Sequence, residues 1–174
     1  MNQKDLSIFE SEIRRAKWLD DDAVNLGLVS HPDIGLQKAE IITALCSMLH
    51  GPLSKINSQA YASTKSILQV ISSKHHFIGL ADSIAQLFVD KFKPEGKNAE
   101  GKVTSALSDS DFNKRANEIS TKIGVLQFET AKTILSKMLD ATKLTLRTNL
   151  YNRDRFKPIF FLLLELKIIT LYLI

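Results

Sequence analysis

Apolar residues recur at spacings of three and four along most of this 174-residue chain, and this spacing limits what it can fold into. Side chains three or four positions apart share one face of an α-helix, whereas a half-buried strand alternates with a period of two. The spacing marks about five or six amphipathic segments before residue 143 and no clean strand alternation there. We therefore expect a predominantly all-α, multi-helix fold whose apolar stripes pack inward. The stripes comprise Leu6, Phe9, Ile13 and Ala16; Leu36, Ala39, Ile42, Leu45 and Leu49; Tyr61, Thr64, Ile67, Leu68 and Ile71; Phe77, Leu80, Ile84, Leu87 and Phe88; and Phe112, Ala116, Ile119, Ile123 and Leu126, continuing into Ala131, Ile134, Met138 and Leu139.

Glycine and proline predict where the first of these helices begin and end. Most of the stretch 17–32, with its acidic triplet, is interpreted as a connector. Pro32 followed by Asp33 suits the first turn of a helix, because the N–H that proline lacks has no helical partner there. Gly51 followed by Pro52 predicts the end of that helix, since glycine tolerates a left-handed cap and proline cannot continue the hydrogen-bond ladder.

Polar residues predict the remaining helix boundaries. Asn57 or Ser58 can cap the next helix, because short polar side chains accept hydrogen bonds from first-turn N–H groups. The polar, glycine-containing stretch 93–108 is predicted to be a loop. Ser108 and the residues after it offer several N-caps for the last helical run, and Gly124 is expected to divide that run into two helices.

The composition fits a globular protein of a reducing compartment. Hydrophobic residues make up 44% of the chain and charged residues 24%, ordinary values that argue against wholesale disorder. The single cysteine, Cys46, excludes an internal disulfide and is expected to be a small buried side chain. The net charge of +4 comes without a block of five or more like charges, so the sequence does not predict a nucleic-acid surface.

The sequence lacks the motifs that carry enzyme chemistry. Its seven glycines form neither the Gly-x-Gly-x-x-Gly pattern of dinucleotide-binding folds nor the Gly-x-x-x-x-Gly-Lys-Ser/Thr pattern of phosphate-binding loops. The adjacent His75 and His76 point in different directions on a helix, and no cysteine or acidic partner stands at ligand spacing from them. We therefore assign no catalytic, cofactor-binding or metal-binding residue, and we expect no cofactor in this chain.

The stretch 143–156 interrupts the helical pattern and is predicted to be a linker. It reads Lys-Leu-Thr-Leu-Arg-Thr-Asn-Leu-Tyr-Asn-Arg-Asp-Arg-Phe, with the Asn and Asp residues that favour turns. Residues 1–142 are thus expected to form a helical region that a further domain would follow. The arginines and aromatics of the linker are interpreted as linker residues rather than a nucleic-acid site, because the cluster is short and Asp154 dilutes its charge.

Three stretches resemble, in order, the region that precedes the catalytic core of the large NAD-specific glutamate dehydrogenases. The first is 40–61, a leucine-rich helix followed by a Gly-Pro break and an Asn-x-x-Ala-Tyr segment. The second is 85–94, which is similar to the family's Leu-Phe-x-x-Arg/Lys-Phe-x-Pro helix end. The third is 145–156, where Arg147-Thr148-Asn149 resembles the Arg/Lys-Thr-Asn segment that leads into the catalytic domain. After Phe156 the family continues into an alternating strand, and this chain does not.

The resemblance implies that the chain is a non-catalytic helical portion of an NAD-dependent glutamate dehydrogenase. Such an enzyme deaminates glutamate oxidatively to 2-oxoglutarate and reduces NAD, in amino-acid catabolism. The family's catalytic lysine, dicarboxylate site and NAD-binding domain would all follow Phe156, so none of them maps onto a residue here. The implied partners are the missing catalytic domain and the other subunits of a homo-oligomer, for which this region would supply regulatory or packing surface.

The alternative is a stand-alone helical interaction protein that binds a partner helix in an apolar groove, with or without a C-terminal membrane anchor. The N-terminus shows neither a signal-peptide nor a transit-peptide pattern, so the cytoplasm or the mitochondrial matrix is the expected compartment. Neither reading implies binding of nucleic acid.

The tail 157–174 is open to three interpretations. It is nearly all apolar from Ile159 onward, but Glu165 and Lys167 interrupt it, and it is shorter than the ~20 residues of a membrane-spanning helix. A membrane anchor is therefore not expected. A buried terminal helix or strand pair is the second interpretation. The favoured one is a sequence artefact, since the end of the tail has the composition of translated AT-rich or out-of-frame DNA.

Overall fold

The computed structural model describes residues 28, 31, 34–97, 103–151 and 163–164, and this part of the chain is predominantly helical, as the spacing predicts. Five α-helices account for most of these residues, and two short antiparallel strand pairs accompany them. The elements are, in chain order, α1 (Gly35–Ile56), α2 (Thr64–Ser72), α3 (His75–Phe92), β1 (Pro94–Lys97), β2 (Val103–Ser105), α4 (Asp109–Gly124), α5 (Glu129–Leu144), β3 (Thr145–Arg147) and β4 (Leu163–Leu164).

The core lies among the five helices, with α3 and α5 at its centre. Each of these two helices packs against all of the other four. The predicted stripes of α1 and α3 are buried in full, and so is the stripe of α5 from Ala131 to Leu139. Burial of one large apolar side chain contributes about 1.5–3 kcal/mol. This interior is therefore the main source of stability for the described fold.

Cys46 belongs to this core, as the sequence predicts. Its side chain on α1 is buried, and burial raises the pKa of the thiol well above its ordinary range. A thiolate is the reactive form of cysteine, so the side chain is chemically inert in the folded protein.

The boundaries of α4 and α5 are confirmed. Ser108 Oγ accepts a hydrogen bond from the Asp111 N–H at 3.1 Å, which satisfies one of the first-turn donors of α4. The helix ends at Gly124, and α5 begins at Glu129. The glycine divides the long helical run into two helices, as expected.

The predicted helix end at Gly51-Pro52 is wrong. Helix α1 continues through Pro52 to Ile56, where the Asn57 N–H donates to the Leu53 carbonyl at 3.0 Å. A proline clashes with the Cβ of the residue before it, and Gly51 has none, so the helical conformation survives at this position. Leu53 is fully buried, so the extra turn gains core packing that offsets the hydrogen bond that proline cannot make.

The predicted start of α2 is also wrong. The helix begins at Thr64, and its N-cap is Ser63, whose Oγ accepts from the Ser66 N–H at 3.1 Å. Asn57 does bond to nearby backbone, but its Oδ1 accepts from the Ala60 N–H at 2.9 Å and closes a separate turn. Asparagine stabilises isolated turns as readily as helix starts, which is why the pattern was ambiguous.

The stretch 93–108 is not a loop throughout, which corrects another prediction. Strands β1 and β2 pair antiparallel, with Pro94 opposite Ser105. The base of this hairpin is held to α3 because Ser105 Oγ donates to the Lys91 carbonyl at 2.6 Å. The strands are short and polar, so no alternation of apolar residues marks them. The hydrogen bond of Ser105 to α3 fixes one end of the hairpin.

Four further predictions fall wholly or largely outside the described residues. They are the expected first helix with Leu6 and Phe9, the connector 17–32, the helix start at Pro32-Asp33, and the tail 157–174, apart from 163–164. There β4 pairs antiparallel with β3, and Thr145 stands opposite Leu164. Among the described residues, no helix is long and apolar enough to cross a membrane.

Candidate functional site

Helix α3 carries a lysine against two phenylalanine rings at each of its ends. Lys91 lies in its last turn, near the rings of Phe92 and Phe112. Lys74 is its N-cap, near the rings of Phe77 and Phe128. These two places hold the most distinctive polar and aromatic chemistry of the described residues, and they differ in almost every other respect.

The junction cluster is the group around Lys91 where α3, α4, α5 and β3 meet. Lys91 Nζ donates to the carbonyl oxygens of Thr142, Lys143 and Thr145, each at 2.8 Å. These carbonyls close α5 and open β3. The last carbonyls of a helix lack N–H partners within the helix, and the helix dipole favours a cation there. The ammonium of Lys91 therefore caps α5 and fixes the chain that leaves it.

The state of this ammonium follows from its surroundings. Burial lowers the pKa of Lys91 to about 8, and the Asp109 carboxylate opposes the shift because it favours the charged form. The Nζ also lies 5.3 Å from the ring centre of Phe92 and 4.9 Å from that of Phe112, within the range of cation–π attraction. In the charged form all three hydrogens of the ammonium are donated to carbonyl oxygens.

Other side chains of the junction cluster join the neighbouring elements. Asp90 accepts hydrogen bonds from Gln86 Nε2 at 2.9 Å and from Arg115 at 2.7 Å, and the second bond ties α3 to α4. The Tyr151 hydroxyl donates to the Val89 carbonyl at 3.0 Å. Burial raises the pKa of Tyr151, and the Asp90 carboxylate adds to that rise. The start of the predicted linker is thus attached to α3 at two points, Lys91 and Tyr151.

The aromatic patch lies at the other end of α3. It consists of Phe77, Val125 and Phe128 with a rim of Lys74, His75 and His76. Phe77 is only 1% exposed, yet it stands outside the main core cluster. The ring of Phe128 stacks over it at 5.9 Å between centres, and Phe128 itself remains 47% exposed. Val125, in the same turn between α4 and α5, is 78% exposed.

The histidines gather near this patch without forming a metal centre. The rings of His31 and His75 meet edge to face at 5.3 Å, and His76 contacts the Phe77 ring at 4.3 Å. Within the part of the chain that the structure describes, no group of three or more His, Cys, Asp or Glu residues could hold a metal ion. These ring contacts pack the histidines against the start of α3.

The sequence contains one near match to a phosphate-binding loop. Gly96, Gly101 and Lys102 have the required spacing, but Val103 stands where the pattern needs serine or threonine. Gly96 belongs to β1 and Val103 to β2, which pair as a hairpin. A phosphate-binding loop leads from a strand into a helix N-terminus, and here a strand follows instead. The described residues on either side of the match thus lack the strand-to-helix context of that site.

The sequence predicts neither the junction cluster nor the aromatic patch. Lys91 lies in a stretch that resembles a family, but its pattern assigns it no role, because its acceptors lie about fifty residues away along the chain. Its position in the last turn of an aromatic-rich helix was the only local signal. Comparisons with protein-family models, curated proteins and solved structures found no match.

Proposed function

We propose that this chain is a non-catalytic helical portion of an NAD-dependent glutamate dehydrogenase, in which it supplies packing or regulatory surface beside the catalytic domain. One observation carries the proposal. Lys91 belongs to the second stretch that resembles this family, and it donates a hydrogen bond to the carbonyl oxygen of Thr145, the first residue of the third stretch. Two stretches that each resemble the family are therefore in direct contact, through Lys91 and Thr145.

The first of the three stretches takes part in the same arrangement. Residues 40–61 form most of α1 and the turn after it, and α1 packs against both α3 and α5. A helical region that positions a following domain needs a fixed exit for the chain. The three carbonyl contacts of Lys91 and the hydroxyl contact of Tyr151 provide one.

Under this proposal the chemistry belongs to the parent enzyme and not to any residue described here. The parent would oxidise glutamate to 2-oxoglutarate and pass a hydride to NAD. The described helices would act through contact with that catalytic domain and with other subunits. A hinge or packing surface next to an active site can change both kcat and KM without touching substrate.

Two measurements test the proposal. In the natural gene, the frame beyond the codon for Phe156 is expected to continue into strand-like sequence and then a glycine-rich dinucleotide motif. A natural stop after Ile174 would count against it. The purified chain, incubated with glutamate and NAD, is expected to produce no NADH above a boiled control. Turnover or saturable NAD binding would show that the chain itself carries the site.

The aromatic patch favours a second candidate, a stand-alone helical interaction module. Phe128 and Val125 are large and exposed, and both lie in the short turn between α4 and α5. Exposed apolar residues that are grouped in this way are typical of a surface that meets another apolar surface. In this interpretation the tail 157–174 would either be a membrane anchor or have no role. A tagged full-length chain that stays in carbonate-washed membranes, while the chain ending at residue 156 is soluble, would support the anchored form.

A further inference from the structure

The turn between α4 and α5 exposes two large apolar side chains of the aromatic patch. Val125 is 78% exposed and Phe128 is 47% exposed, whereas Leu126 between them packs against the core. Helix α4 ends at Gly124 and α5 begins at Glu129, so both exposed side chains stand in one short turn. Side chains this exposed project from the surface and do not line a groove.

Lysines flank these two apolar side chains. Lys74 is exposed, and its Nζ stands 5.8 Å from the ring centre of Phe128. Lys122 lies in the last turn of α4, three residues before Val125, and it is also exposed. Both ammonium groups can therefore meet a negatively charged surface that the apolar side chains touch.

The described residues around the patch carry little negative charge to oppose these lysines. The turns at 72–77 and 122–132 contain three lysines, and Glu129 is their one acidic residue. The Glu129 carboxylate is 3.7 Å from the ammonium of Lys132 and is thus partly neutralised. Three positive charges less one negative charge leave +2 at this place, with the histidines neutral.

Projecting apolar side chains within a ring of positive charge complement the surface of an anionic membrane. The apolar groups can enter the boundary between headgroups and acyl chains, and lysines can keep their ammonium groups at the level of the phosphates. A protein partner usually needs a complementary surface of about 800 Å² on each side, which a bilayer does not. A second copy that met the patch symmetrically would place positive charge against positive charge. The charge and shape of the patch therefore favour the membrane.

We propose that the aromatic patch binds the surface of a membrane that contains anionic lipids. Val125 and Phe128 insert among the lipids, and Lys74 and Lys122 lie at the level of the lipid phosphates. This contact is peripheral and reversible, so it differs from the membrane anchor considered for the tail 157–174. It is also independent of the glutamate dehydrogenase proposal, because it uses only described residues of this chain. An acidic protein and a second copy of the chain are the competing occupants.

Sedimentation of the full chain with lipid vesicles tests the proposal. The chain is expected to bind vesicles of equal parts phosphatidylserine and phosphatidylcholine, to bind pure phosphatidylcholine far less, and to be released by high salt. Val125→Asp should weaken binding to the mixed vesicles about tenfold, and Lys74→Gln about fivefold. The matched control is Ile56→Asp, which places the same charge at an exposed apolar position in the last turn of α1 and should bind like the unmodified chain.

A fluorescent label locates the contact. Cys46 is buried, so a polarity-sensitive thiol dye on Val125→Cys reports on the patch, and the same dye on Ile56→Cys is the control. Mixed vesicles should shift the emission to the blue at position 125 and not at position 56. Absence of vesicle binding, or full binding by Val125→Asp, would overturn the proposal. A blue shift that appears with rising protein concentration and without vesicles would also overturn it, in favour of a second copy.

Discussion

Each end of α3 places a lysine against two phenylalanine rings, but the two lysines differ in burial and in hydrogen bonding. Lys91 and Lys74 each lie between 4.9 and 5.8 Å from two phenylalanine ring centres. Lys91 is half-buried and donates to three carbonyl oxygens, whereas Lys74 is exposed. Proximity to aromatic rings therefore does not hold a lysine side chain in one position. Hydrogen bonds to the unpaired carbonyls of a helix end do so, and of the two lysines only Lys91 makes them.

The helix dipole sharpens the contrast. Lys91 sits at the C-terminal end of α3 and also at the C-terminal end of α5, where a positive charge is favourable twice. Lys74 sits at the N-terminal end of α3, where a positive charge is unfavourable. The helix dipole thus favours the positive charge of Lys91 in the junction cluster and disfavours that of Lys74 at the aromatic patch.

The largest expected effect comes from Lys91→Met, which keeps the apolar stem and removes the ammonium. We expect the free energy of unfolding to fall by about 3 kcal/mol, because charge-assisted hydrogen bonds to otherwise unpaired carbonyls are lost. Lys74→Met is the matched control and should change it by less than about 1 kcal/mol. Urea denaturation followed by circular dichroism measures both. Similar losses in the free energy of unfolding of the two variants would contradict the difference between the two ends of α3.

These contacts also show which features of the structure can be predicted from the sequence. The stripe of α3 from Phe77 to Phe88 and the cap at Ser108 follow from local spacing and local hydrogen bonding, and both are confirmed. The partners of Lys91 depend on how α3 and α5 are placed relative to each other, which no local pattern encodes. Tertiary packing also explains why helix α1 continues through Pro52. The burial of Leu53 outweighs the local stop signal.

The second prediction concerns pH and uses the lowered pKa of Lys91. That pKa falls from 10.5 to about 8 on folding. Between these values the unfolded chain keeps a proton that the folded chain has released, so unfolding takes up a proton. The free energy of unfolding of the unmodified chain should therefore rise with pH across this window relative to Lys91→Met, by at most about 1.4 kcal/mol per pH unit.

Other groups titrate in this range, but they are common to the unmodified chain and to Lys91→Met and cancel in the difference. Urea unfolding of both proteins from pH 7.5 to pH 10 measures the slope. A flat difference would contradict the lowered pKa of Lys91 in the folded chain.

The third prediction compares the starts of two helices. Ser108 caps α4 beside the junction cluster, and Ser108→Ala should lower the free energy of unfolding by about 1 kcal/mol. Thermal or urea unfolding measures the loss, and Ser110→Ala, on the exposed surface of the same helix, is the control. An unchanged stability would mean that the first turn of α4 is satisfied by water at no cost.

The smallest expected effect is a gain, from Lys74→Ser at the start of α3. Lys74 already has the extended backbone of an N-cap, with φ −144° and ψ 140°, but no side-chain bond to the first turn. Serine would accept a first-turn N–H and would remove a positive charge from the positive end of the dipole. It would also give up the weak attraction between the ammonium and the two rings, worth roughly 0.5 kcal/mol at an exposed site. We expect a net gain of about 0.5 kcal/mol.

Lys74→Met separates the two parts of that gain, because it loses the same ring attraction without supplying a cap. The stability of Lys74→Ser minus that of Lys74→Met is therefore the value of the cap alone, about 1 kcal/mol. Equal stabilities of the two variants would mean that serine forms no cap at the start of α3.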